Sequence, residues 1–100
     1  MTRMVFLMEV KPDQMEPYRA AHHAVWPEVL EALSRVGIRN YSIFMADTHL
    51  VAYFEADDCQ ESLERLTQER AMHRWWKSMD PIMSSPPNFS RDFEEVFHLD

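Results

Sequence analysis

Residues 3–10 place Val5 and Leu7 on one side and Phe6, Met8 and Val10 on the other, the two-residue period of a strand. Lys11-Pro12-Asp13 ends the run as a turn and helix cap, and residues 14–23 carry a helical pattern. Pro17 then belongs to the first helical turn, where its missing N–H costs little. Pro27 disfavours helical backbone at Trp26 and suits the first position of a new segment over residues 28–35, so the helix is broken or kinked there. Val29, Leu30, Leu33 and Val36 continue an apolar stripe at helical spacing, and Gly37, the only glycine, supplies the stop.

Residues 39–46 and 50–56 are two strand-like runs joined by Asp47-Thr48-His49, which predicts an antiparallel hairpin. Residues 57–61 open a second helix with an acidic first turn that complements the helix dipole, with Leu63 and Leu66 facing inward. Further helical turns follow over residues 71–79, then a loop over residues 80–92 and a last strand over residues 93–99. The order β-α-β-β-α-β predicts an α+β, ferredoxin-like fold: a four-stranded antiparallel sheet with helices on one face, one domain over residues 1–100. Because both sides of the first strand are apolar, the face away from the helices also needs cover. A second copy packed sheet to sheet supplies it, which predicts a homodimer, a dimeric α+β barrel.

Composition narrows the function. A hydrophobic fraction of 46% with 12% aromatic residues describes a folding chain, yet one of a size at which a single core is marginal without an oligomer. The formal net charge of -7 repels phosphate backbones and anionic surfaces, which disfavours nucleic-acid and membrane partners. A lone cysteine, Cys59, allows no internal disulfide, and the first apolar run is too short for a membrane span or signal segment. A cytoplasmic setting fits best. The scattered methionines read as gap-filling packing.

Three segments hold the candidate chemistry: Tyr18 to Glu28, Asn40-Tyr41, and Arg74-Trp75-Trp76-Lys77. Tyr18 and His22 are four apart and share a helix face, whereas His23 pairs with Arg19 on a neighbouring one. An imidazole suits acid-base work near neutral pH, although this segment alone fits an ordinary helix-end histidine as well. Trp75 and Trp76 offer flat apolar faces and N–H donors, suited to a sugar ring, or simply large residues filling a core. Tyr41 alone is uninformative. His22-His23 are adjacent and the other histidines isolated, with no metal-ligand spacing, and no phosphate loop or nucleophile motif exists. Neither a metal nor a cofactor is expected.

Together the Y-x-x-x-H-x-x-x-W-P-E run from Tyr18, the Asn40-Tyr41 pair, the R-W-W-K stretch from Arg74 and the terminal E-V-F-H-L resemble the L-rhamnose mutarotase family over nearly the full length. The resemblance implies a cytoplasmic, homodimeric, cofactor-free isomerase that interconverts the α and β anomers of L-rhamnose or a close deoxyhexose. It also implies that His22 is the proton donor and that Tyr18, Tyr41, Trp75 and Trp76 bind substrate. The chain departs from the family in its short turn at residues 46–49 and in residues 84–92, loop differences that bear on which sugar is accepted. Two other readings share this fold and charge: a cofactor-free monooxygenase of the dimeric α+β barrel type, and a non-enzymatic ligand-binding dimer. Only the His22–Tyr18 register and the tryptophan pair favour the sugar isomerase.

Overall fold

A computed structural model describes residues 1–84 and 93–100. Its elements are β1 (Thr2–Glu9), a 3-10 turn (Pro12–Gln14), α1 (Met15–His22), α2 (Pro27–Arg35), β2 (Arg39–Ala46), β3 (His49–Ala56), α3 (Cys59–Leu66) and α4 (Arg70–Met79). The strands form an antiparallel sheet in the order β1-β3-β2. One face carries Phe6, Ala52, Phe54 and Ala56, which join Val29 and Ala32 of α2, Leu63 of α3 and Trp75 of α4 in the main core. A smaller cluster of Val10, Tyr18 and Leu50 lies beside it.

The helix breaks follow from local chemistry. Trp26 holds φ -59° and ψ 135°, the extended backbone that a following proline imposes, and Pro27 opens α2 where no N–H is needed. At the other end of α2, Gly37 sits at φ 87°. Its N–H donates to Ser34 and that of Ile38 to Leu33, the paired bonds of a left-handed glycine stop. Asp58 caps α3 by accepting from the Glu61 N–H at 3.2 Å. Ser62 of α3 donates to the Val36 carbonyl at 2.6 Å, so the buried hydroxyl ties α3 to the end of α2.

One irregularity lies beside a candidate site residue. Arg39 pairs with Glu55 and Ser42 with Tyr53, so Asn40 and Tyr41 together oppose Phe54, a β-bulge. Asn40 is the extra residue, at φ 49°, and its side-chain amide donates to Glu55 at 2.8 Å. The extra residue lets Arg39 face outward beside Glu55, while Tyr41, alternating with Ile43, faces inward onto Phe6 and Phe54. Left-handed backbone costs a β-branched residue about 1–2 kcal/mol. Asn40→Val is therefore expected to lose about that much unfolding free energy in urea titration, whereas Asn40→Gly stays close to the parent. Equal losses in both variants would remove the role assigned to φ.

The fourth strand expected over residues 93–99 is not formed, and the described sheet has three strands. Among the described residues after α4, one β-bridge joins Met83 to Val10, just past β1, and Ser84 bonds to Glu9 beside it. Beyond it, part of the expected 80–92 loop, residues 85–92, lies outside the described residues. Residues 93–100 make no ladder; Arg3 holds Glu95 at 3.0 Å across the outer face, while Val96, Phe97 and Leu99 are 85%, 78% and 80% exposed. A strand needs an edge of free N–H and C=O groups to pair with, and this segment meets side chains instead. No helix among the described residues is long and apolar enough to cross a membrane.

Candidate active site

Between the helical layer and the inner face of the sheet lies a cavity of about 510 Å³ lined by Tyr18, His22, Tyr41, Trp75 and Trp76 among mostly apolar neighbours. All five residues singled out in the sequence meet there. Tyr18 and His22 come from one face of α1, Tyr41 from the bulge in β2, and the tryptophans from α4. The helical register separates the two adjacent histidines: His22 is half-buried against Tyr18, whereas His23 is exposed at the end of α1, although it too borders the cavity.

The His22 ring stacks on Tyr18 with centroids 4.0 Å apart and planes 24° from parallel. Its Nδ1 lies 2.9 Å from the Tyr18 carbonyl oxygen. A carbonyl can only accept, so Nδ1 carries the hydrogen and donates; in the neutral ring Nε2 is then left with a lone pair. Burial holds the imidazole below its ordinary value of 6.5, partly offset by that backbone bond. At neutral pH the ring is therefore an uncharged base of fixed tautomer.

Both phenols stay protonated. Burial pushes Tyr18 up to about 12; for Tyr41 burial again dominates, with the nearby Tyr18 phenol adding to the upward shift. Neither hydroxyl has a hydrogen-bond partner among the described residues, so each is available to a ligand.

The two tryptophans differ. Trp75 is buried at 7% exposure, edge-on to His22 at 5.4 Å and to Trp26 at 5.1 Å. It joins the core to the wall behind the imidazole. Trp76 is half-buried with its ring edge-on to His73 at 5.8 Å, and it also lines the cavity. Trp26, in the sequence segment but not among the predicted site residues, does not line the cavity and packs edge-on against Trp75. Asp80 was not singled out at all, yet it lines the cavity just beyond the end of α4. An acid after the last turn of a helix runs against the dipole preference, and that was the available signal. Among the described residues no three His, Cys, Asp or Glu side chains gather as a metal would require.

A ring-sized, largely apolar chamber with two phenol donors, indole faces and one neutral base can hold a polar ring and move a proton on it. Comparison with known proteins agrees. The sequence pattern of the L-rhamnose mutarotase family matches residues 3–99. The L-rhamnose mutarotase of Bacillus subtilis (strain 168) is 39% identical, with 100% of each chain covered. That of Listeria monocytogenes serotype 4b (strain F2365) is 41% identical, with 99% of each covered. The crystal structure of L-rhamnose mutarotase from Formosa agariphila superposes with a TM-score of 0.81 at 28% identity over 100% of both chains. Tetracenomycin F2 cyclase from Streptomyces glaucescens, a type-II polyketide cyclase, shares the fold with a TM-score of 0.52 at 23% identity, over 96% of this chain and 87% of its own.

Proposed function

The chain belongs to the L-rhamnose mutarotase family, and we propose that it interconverts the α and β anomers of L-rhamnose in the cavity around His22. The observation that carries the mechanism is the bond from His22 Nδ1 to the Tyr18 carbonyl, which leaves Nε2 unprotonated toward the sugar. Nε2 takes the proton of the anomeric hydroxyl as the C1–O1 bond gains double-bond character and the C1–ring-oxygen bond breaks. The imidazolium so formed gives the proton to the departing ring oxygen, and this is the step in which His22 is a proton donor. Rotation about C1–C2 presents the other face of the aldehyde, and the same transfers in reverse close the ring.

Tyr18 and Tyr41 donate hydrogen bonds that hold the ring, and Trp75 and Trp76 cover its C–H faces. Orientation beside one base suffices for such a proton relay, because the reaction needs neither an electron sink nor a covalent nucleophile.

The pH dependence tests this assignment. The rate of L-rhamnose anomer exchange should stay level from pH 8 to 6.5 and fall only below 6.5, since burial lowers the His22 value and protonation removes the base. Stability moves the same way: the unfolded chain binds the proton more readily than the folded one, so unfolding free energy drops as pH falls below 6.5. Optical rotation of freshly dissolved sugar follows the rate, and a rate that rises on acidification beyond the protein-free control would contradict a neutral base.

The protein acts as a homodimer in this reading, sheet against sheet in the α+β barrel manner. On the outer sheet face Leu7, Phe44 and Val51 are 44%, 66% and 40% exposed, and the apolar residues near the C-terminus add to them, surface that a second copy packed there would cover. Sedimentation at micromolar concentration should give the mass of two chains; one chain's mass would overturn the dimer.

A further inference from the structure

The mutarotase reading uses the cavity's phenols, indoles and imidazole and leaves its one carboxylate unexplained. Asp80 is the sole acidic residue among the described residues that line the cavity, and its carboxylate forms no ion pair or hydrogen bond among them. Its backbone N–H closes the last turn of α4 by donating to the Trp76 and Lys77 carbonyls, at 3.1 and 3.3 Å. The side chain thus stands at the negative end of a helix, where a cation is preferred. The side chain is exposed to water where the residue borders the cavity, so it can meet a ligand without the cost of a buried charge.

Register along α4 says which part of the ligand. Trp76 and Asp80 are four residues apart and stack on one helix face, so a ring lying on the indole presents its edge to the carboxylate. Trp75, the residue of α4 against His22, precedes Asp80 by five residues, roughly 7.5 Å of helix rise. That offset removes Asp80 from the anomeric carbon that His22 serves and sets it across the ring. The phenols and the indole N–H groups are donors to the sugar; a carboxylate supplies two acceptor oxygens that a pair of neighbouring hydroxyls can fill.

We propose that Asp80 is a specificity-determining residue that accepts hydrogen bonds from the vicinal hydroxyls on C3 and C4 of the sugar. This rests on the mutarotase reading above. The carboxylate then selects sugars that present that diol, while the apolar wall accepts the methyl group of a 6-deoxyhexose.

The test measures kcat and KM for anomer exchange by NMR on L-rhamnose and its 2-deoxy, 3-deoxy and 4-deoxy forms, with the intact protein, Asp80→Ala and Asp80→Asn. A charge-assisted hydrogen bond corresponds to about tenfold or more in binding. In Asp80→Ala, KM for L-rhamnose should rise about tenfold with kcat within twofold, the pattern of lost uniform binding. The intact protein should lose about as much when the 3- or 4-hydroxyl is removed, and the variant should lose nothing further on those two sugars. The 2-deoxy penalty should be the same in both. Asp80→Asn, which keeps one acceptor oxygen, should fall between. The melting temperature of Asp80→Ala should equal or exceed that of the intact protein, because an anion leaves a helix C-terminus. An unchanged KM in Asp80→Ala, or full 3- and 4-deoxy penalties persisting in it, would overturn the assignment while leaving the mutarotase reading in place. No acceleration of L-rhamnose exchange by the intact protein would overturn both.

Discussion

Replacing His22 by alanine should lower kcat for L-rhamnose anomer exchange by about 100- to 10,000-fold, the range expected when a positioned acid-base group is lost. Stability should change far less. The substitution removes the backbone bond to Tyr18, about 1 kcal/mol, and the stacking of the ring on the phenol. The neighbouring His23 is the internal control: it shares the sequence neighbourhood and the side chain but is exposed at the end of α1, so His23→Ala should stay within about twofold of the parent by the same reasoning. Comparable losses in both variants, measured by saturation transfer between the anomeric protons, would mean that burial and tautomer are not what distinguishes His22.

The second large effect separates the tryptophans. Trp75 belongs to the main core and is buried against both His22 and Trp26, so Trp75→Ala should cost about 3–5 kcal/mol of unfolding free energy, as removal of a large buried ring does. Its catalytic loss would follow from the freed imidazole and the collapsed wall. Trp76, half-buried, should cost clearly less in stability when replaced by alanine, and its loss should appear mainly as a higher KM. Urea unfolding of the two variants beside the parent reads the difference, and equal destabilisation would cancel the division between a wall and a binding face.

Much of this was legible because it rests on local rules. Trp26-Pro27 marks the break between α1 and α2, and Gly37 the stop of α2, since proline and glycine restrict or free the backbone wherever they stand. The four-residue spacing of Tyr18 and His22 placed them on one face, and the structure stacks them. What stayed hidden depends on partners distant in sequence. The bulge at Asn40 shows only when β2 is laid beside β3; nothing in Arg39 to Ser42 alone says which residue is the extra one. Residues 93–99 carry strand-forming types but make no ladder, because strand content is a property of the edge that receives it as much as of the segment itself. The tautomer of His22 is set by a carbonyl of its own helix, a bond that spacing permits without requiring. Asp80 was overlooked because a loop acid is ordinary until its place on a cavity wall is known.

The most direct measurement is two-dimensional exchange NMR on L-rhamnose already at anomeric equilibrium, with the intact protein present in catalytic amount. Cross-peaks between the α and β anomeric protons should grow in proportion to protein concentration, saturate with sugar and hold their rate between pH 8 and 6.5. An exchange rate equal to that of the protein-free solution, at every protein concentration, would contradict the assignment of anomer interconversion to this cavity.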